Sequence, residues 1–223
     1  MNKRSGQVHS GRISRRQFMQ GTATAAGAVL LSACAGDQSF QPEPLTEQLG
    51  VGTGALVIYD SLYGNTKQIA EQITQKVTEI LQAGASETSV KLLHADEVKP
   101  QDLAGVGLLF VGSPTHGGGF TDPVDSFFDR IPVDGLANVI AAAFDTGFSA
   151  EEEGAVVRFL IDRLGYASSR IAKKMENKGA VVAAAETFFV LGEEGPLMDG
   201  EVERAGEWAA GLLEQVLSTA GSA

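Results

Sequence analysis

Ala55-Leu56-Val57-Ile58-Tyr59-Asp60-Ser61-Leu62-Tyr63-Gly64-Asn65-Thr66 is the stretch whose reading decides the fold. Its first five residues are apolar without alternation, the pattern of a strand buried on both faces. From Thr66 onward apolar residues fall at Ile69, Ile73, Val77, Ile80 and Leu81, which is helical spacing. The segment between is therefore a turn from a buried strand into a helix. Ser61 and Thr66 supply hydroxyl donors there, and Gly64 lets the backbone turn. The helix start adds free N–H groups and a partial positive charge. These features suit a phosphate group. No Lys or Arg lies within the loop, it lacks the Gly-Lys-Ser/Thr ending of a P-loop, and the dinucleotide pattern GxGxxG is absent. Neutral donors for one phosphate monoester point to a mononucleotide.

Working outward, strand and helix patterns alternate. Val90 to Leu93 and Val106 to Val111 read as the second and third strands, Val139 to Phe144 as the fourth and Ala180 to Ala184 as the fifth. Asp122-Pro123 reads as a helix start with Asp122 as N-cap and Pro123 as first helical residue. Ser149 to Glu152 fits a capping box that opens a helix to about Leu164, stopped by Gly165. Further helices are predicted from Ser168 to about Asn177 and from near Gly200. The last carries an apolar stripe through Val202, Ala205, Ala209, Leu212, Leu213, Val216 and Leu217. Such alternation predicts an α/β domain with a parallel sheet covered on both faces. Ligands of such sheets sit outside the carboxyl ends of the strands where the strand order reverses. The loops after strands one, three and four are thus the candidate site.

After strand three comes Gly112-Ser113-Pro114-Thr115-His116-Gly117-Gly118-Gly119-Phe120, and after strand four Phe144-Asp145-Thr146-Gly147-Phe148. The glycine-rich turn is expected to set backbone N–H groups against something flat. Together with ALVIYDSLYGNT these loops resemble the flavodoxin family, whose phosphate loop has Ser or Thr, two spacers and Gly-Asn-Thr. The resemblance covers about residues 55 to 217. It implies a three-layer fold, a five-stranded parallel sheet of order 2-1-3-4-5, and FMN as cofactor. The implied FMN-binding positions are Ser61, Leu62, Tyr63, Gly64, Asn65 and Thr66 in the first loop. In the second they are Pro114, Thr115, His116, Gly117 and Gly118, and in the third Asp145, Thr146, Gly147 and Phe148. Flavodoxins proper often carry a Tyr in the third loop, and this chain has none there. Glu186-Thr187-Phe188-Phe189-Val190 reads as a loop leading to the last helix, with Phe188 and Phe189 in the core. No nucleophile–base pair or carboxylate dyad stands out, so no catalytic residue is assigned.

The first 33 residues carry five basic side chains (Lys3, Arg4, Arg12, Arg15, Arg16) and no acid. Arg15-Arg16 precede an apolar run from Gly21 to Ala33, too short to span a bilayer, which needs ~20 residues. This resembles a twin-arginine signal peptide, an address read by an export receptor. Leu31-Ser32-Ala33-Cys34 resembles the bacterial lipobox, which implies cleavage before Cys34 and lipidation of its thiol. Residues 34–54, with Gly, Pro, Gln and Glu and no period, read as a tether. The expected organisation is a signal at 1–33, the tether at 34–54 and an FMN domain at 55–218.

Cys34 is the only cysteine, so no disulfide forms within the chain and no Cys-based metal site or cluster is possible. His9, His94 and His116 show no metal-ligand spacing. Beyond residue 33, 12 Lys/Arg face 28 Asp/Glu, a net −16. That charge repels nucleic acid and favours a redox partner with a basic docking face. The leading expectation is an extracytoplasmic electron carrier held to the membrane by lipid alone. An FMN-dependent NAD(P)H:quinone oxidoreductase meeting membrane quinone, and a flavin-free binding module, are the alternatives.

Overall fold

The structure, a computed structural model, describes residues 54–83, 88–149 and 165–220. The N-terminal signal, Cys34 and the tether lie outside the described residues, apart from Gly54. So does the body of the helix expected from Ser149 to Leu164. The described elements are β1 (Gly54–Tyr59), α1 (Asn65–Ala83), β2 (Val90–His94), β3 (Val106–Pro114), α2 (Asp122–Asp129), β4 (Ile140–Phe148), α3 (Ala167–Asn177), β5 (Val181–Val190) and α4 (Glu201–Ala220). Two short 3-10 turns, Ala95–Glu97 and Pro100–Asp102, join β2 to β3. The sheet order is β2-β1-β3-β4-β5, and every pairing is parallel.

Each face of the sheet has its own core. Leu56, Ile58, Leu109 and Val111 point to one side, where Phe127 and Phe128 of α2 and Ile171 and Met175 of α3 cover them. Val57, Phe110, Ala142 and Phe144 point to the other, under Ile69, Ile73 and Val77 of α1 and Ala205, Ala209 and Leu213 of α4. Strands buried on both faces explain the unbroken apolar runs. They also fix where ligands can approach. Both faces are closed, so the carboxyl ends of β1, β3 and β4 are the open edge.

Three local readings are corrected. Residues 144–148 are strand, because β5 continues beside them and pairs Asp145 with Thr187 and Phe148 with Val190. For the same reason Glu186 to Val190 is the second half of β5 rather than a loop. Phe188 is fully buried there, and Phe189 is partly buried. Third, α2 starts one residue earlier than its dipeptide suggests. Thr121 is the N-cap, with extended backbone, and Asp122 is the first helical residue. The Thr121 hydroxyl does not cap the helix; it lies 3.2 Å from Ser113 Oγ, which also accepts from the Thr121 N–H at 3.0 Å. That pair ties the end of β3 to the start of α2.

Candidate functional site

At the carboxyl ends of β1, β3 and β4 lies an open cleft of about 180 Å³. Ser61, Leu62, Tyr63, Asn65 and Thr66 form its first wall. Pro114, Thr115, His116 and Gly117 form the second, and Thr146, Gly147 and Phe148 the third. Three of the sequence-predicted positions stand outside the lining: Gly64, Gly118 and Asp145. Gly64 acts on the backbone, turning the first loop at φ +90°. Gly118 belongs to the tip of the second loop. Asp145 is wholly buried behind the third wall.

The first wall is built on the α1 N-terminus. Ser61 Oγ accepts from the N–H groups of Gly64 at 3.1 Å and Lys67 at 3.3 Å, closing the loop onto the helix. Its own proton remains to donate. The first turn of α1 holds no acidic residue, although acids are favoured at a helix N-terminus. Thr66 and Thr146 are both buried, with hydroxyls 2.8 Å apart. A hydroxyl has one proton, so whichever of the two accepts keeps its own free for a ligand. The donor set is neutral, helix-based and oriented, and it fits a phosphate monoester.

The second wall differs from the expectation in one respect. His116 and Gly119 exchange both backbone hydrogen bonds, at 2.9 and 3.0 Å. These two N–H groups are therefore spent on closing the turn. Gly117 and Gly118 take φ +58° and +79°, the left-handed pair that a two-residue hairpin of this hand requires. The His116 side chain is exposed at the cleft.

A fourth wall was missed by sequence reasoning. Val190 and Glu193, from the end of β5 and the segment after it, also line the cleft. That segment doubles back: Leu191 N–H donates to Pro196 O and Met198 N–H to Phe189 O, each at 2.9 Å. Asn65 Nδ2 then donates to Glu194 O at 3.0 Å, clasping it to the phosphate-type loop. Gly195 lies so close that a Cβ there would stand 2.5 Å from the Asn65 amide. The available signal was topological, since β5 ends on the same open edge as β4.

Behind the third wall, Asp145 joins three elements. Oδ2 accepts from the Thr115 hydroxyl and, at 3.1 Å, from the Ala167 N–H at the start of α3. Oδ1 accepts from the Thr187 hydroxyl at 2.6 Å. Burial pushes its pKa up from 3.8 to about 6, against the lowering effect of these donors. The folded state thus favours the protonated acid. The stabilisation is fully present below the unfolded pKa of 3.8 and is lost as pH rises through about 6. Asp145→Asn removes this loss. Its unfolding free energy relative to wild type should rise by about 3 kcal/mol between pH 3 and 7 and then level off. Urea unfolding of the ligand-free protein across that range measures it, and a pH-independent difference would contradict it.

Comparisons with known proteins point to one family. The Flavodoxin family pattern matches residues 57–208. A flavodoxin of Aquifex aeolicus (strain VF5) is 31% identical over 140 residues, covering 57% of this chain and 73% of the relative. A flavodoxin from the domain Archaea superposes with a TM-score of 0.54 at 23% identity, over 73% of this chain and 98% of that one. Oxidised flavodoxin 1 of Bacillus cereus gives 0.51 at 22%, over 72% and 97%. These two structural likenesses speak to the fold.

Proposed function

The chain belongs to the flavodoxin family, whose members bind FMN, and from that premise we propose that it is an extracytoplasmic electron carrier that holds FMN in the cleft described above. The observation that carries this reading is the set of neutral hydroxyl and helix donors at the start of α1, facing a cleft on the open edge of the sheet. Ser61 and whichever of Thr66 and Thr146 keeps its proton free would hold the phosphate, with Gly64 and Asn65 shaping its loop. Thr115, His116, Gly117, Gly147 and Phe148 would flank the flavin ring. The bound flavin supplies one- and two-electron transfer. The protein binds it, orients it and limits its contact with water.

The location rests on the first 34 residues. Arg15-Arg16 and the apolar run to Ala33 support export through the twin-arginine route, and Cys34 supports a lipid anchor. Residues 34–54 would tether the domain at 55–218 to the membrane surface. The acidic balance of the exported part, −16, supports a redox partner with a basic face.

The test is the absorption spectrum of the chain from Ala35 onward, made in the cytoplasm, with the released cofactor identified by chromatography. One FMN per chain is expected. A colourless protein that also refuses added FMN would overturn the reading in favour of a flavin-free binding module. Rapid NAD(P)H oxidation with quinone by the yellow protein would replace the carrier with a quinone oxidoreductase. The full-length protein should fractionate with membranes and be exposed on their outer face.

A further inference from the structure

We propose that Asp145 is a positioning residue for the flavin: its Oδ2 fixes Thr115 in the cleft wall, and its Oδ1 is a proton-accepting site whose charge is felt in the cleft. The inference rests on the FMN reading above. Three observations carry it.

The first is the geometry at Oδ2. The Ala167 N–H donates both to Asp145 Oδ2 and, at 2.9 Å, to Thr115 Oγ1, while the Thr115 hydroxyl donates to Oδ2. The single proton of Thr115 is therefore committed, and its side chain is held against the start of α3. Thr115 lines the cleft and Asp145 does not. Asp145 thus acts on the cleft through its neighbour.

The second is the geometry at Oδ1. Its partner there is the Thr187 hydroxyl, which stands 3.4 Å from Ser168 Oγ. A proton arriving on Oδ1 needs only a turn of the Thr187 hydroxyl toward Ser168. Thr187 Oγ1 then accepts from the new acid proton. The bonds at Oδ2 are untouched, so the charge can change without releasing Thr115.

The third is the charge environment. The partners of Asp145 on the second loop, α3 and β5 are all uncharged: Thr115, the Ala167 N–H, Ser168 and Thr187. The acidic or basic side chains next in sequence to those partners are His116, Arg170 and Glu186. His116 is exposed at the cleft. The Arg170 guanidinium points toward Gly119, 3.4 Å from where a Cβ would stand. Glu186 lies on the opposite face of β5 from Thr187, paired with Arg204 at 2.9 Å. The positive end of α3 favours the anion, but among the described residues no cation neutralises it. Thr146 and Gly147, the next two residues along β4, line the cleft. A negative charge on Asp145 therefore opposes an added electron on bound FMN. An electron supplied from outside, by dithionite in the test, is matched by a proton from solvent at Oδ1, so the net charge of the site is unchanged. Burial, which brings the Asp145 pKa to about 6, makes this exchange available near neutral pH.

The test uses the full-length protein loaded with FMN, in wild-type, Asp145→Asn and Asp145→Ala forms. Asn offers an acceptor to Thr115 and Ala167 and a donor to Thr187, so Asp145→Asn should bind FMN within threefold of wild type. Asp145→Ala should lose at least tenfold and speed amide exchange at Ala167. The midpoint potentials of wild type and Asp145→Asn should coincide below about pH 5 and separate above pH 6, with wild type the lower. Identical potentials at every pH, or wild-type affinity and Ala167 protection in Asp145→Ala, would overturn the proposal. If Asp145→Ala does not fold, Thr115→Val tests the same link, with the same loss expected and unchanged affinity counting against it. Wild-type protein that binds no FMN would defeat the FMN reading and this inference together. Wild type that binds FMN while the variants match it in affinity and potential would defeat this inference alone.

Discussion

Ser61→Ala combined with Thr66→Val should weaken FMN binding by about 100-fold while leaving riboflavin binding within about threefold of wild type. Each change removes one hydroxyl hydrogen bond to a charged phosphate, worth about 1.5 kcal/mol, and ~3 kcal/mol corresponds to that factor. Valine suits Thr66 because this side chain is 1% exposed and packed, so alanine would add a cavity to the lost hydrogen bond. Thr146 keeps its own hydroxyl at the cleft in the double variant, which is why binding is weakened rather than abolished. Riboflavin is the decisive control because it carries the same ring without the phosphate. Fluorescence titration of both ligands against the ligand-free protein reads the effect. Equal losses for FMN and riboflavin would mean that the loop had been distorted. An unchanged FMN affinity would mean that the phosphate binds elsewhere.

The first wall was legible in the sequence because everything that builds it is local. A buried strand, a Ser-Leu-Tyr-Gly turn and a helix start occupy twelve consecutive residues, and the hydrogen bonds from Gly64 and Lys67 to Ser61 span three and six positions. The strand order was legible through the same loop's resemblance to a family. The third wall was misread as a loop because strand length depends on a partner. Glu186 breaks the apolar run of β5 and reads as its end. In the structure its carboxylate meets Arg204, 18 residues away, and the strand runs on to Val190. Extending β5 extends β4, and alternation along β4 then separates two neighbours. Thr146 points to Thr66, and Asp145 points to the opposite face, toward Ala167. Read as loop residues the two were equivalent; read as strand residues they are not. The fourth wall rests on the hydrogen bond from Asn65 to Glu194, 129 positions apart, and nothing local announces it.

Gly112→Ala should be the most destabilising single methyl that can be added near the site. Gly112 sits on β3 between Tyr59 of β1 and Phe144 of β4. A Cβ there would stand 2.1 Å from both Cε2 and Cζ of the Phe144 ring, a separation no packed atoms tolerate. Phe144 is fully buried in the core under α1 and α4, so its ring has no free space into which to swing. Overpacking of this kind costs about 3 kcal/mol, at the upper end of the usual range. For a domain of this size that lowers the melting temperature by roughly 6–12 °C. The loss reaches function because the Gly112 carbonyl accepts from the Asp60 N–H at 3.0 Å, the bond that sets where the first loop leaves β1. A shift of β3 therefore carries the phosphate donors with it, and FMN affinity should fall alongside stability. A double-mutant cycle isolates the cause. Phe144→Ala alone costs ~3–5 kcal/mol through its cavity, yet it removes the ring that the new methyl strikes. Adding Gly112→Ala to that background should cost under about 1 kcal/mol, a coupling of at least ~2 kcal/mol. If the two losses simply add, the ring is not what excludes a side chain at Gly112, and the strain must lie in the β3 backbone itself.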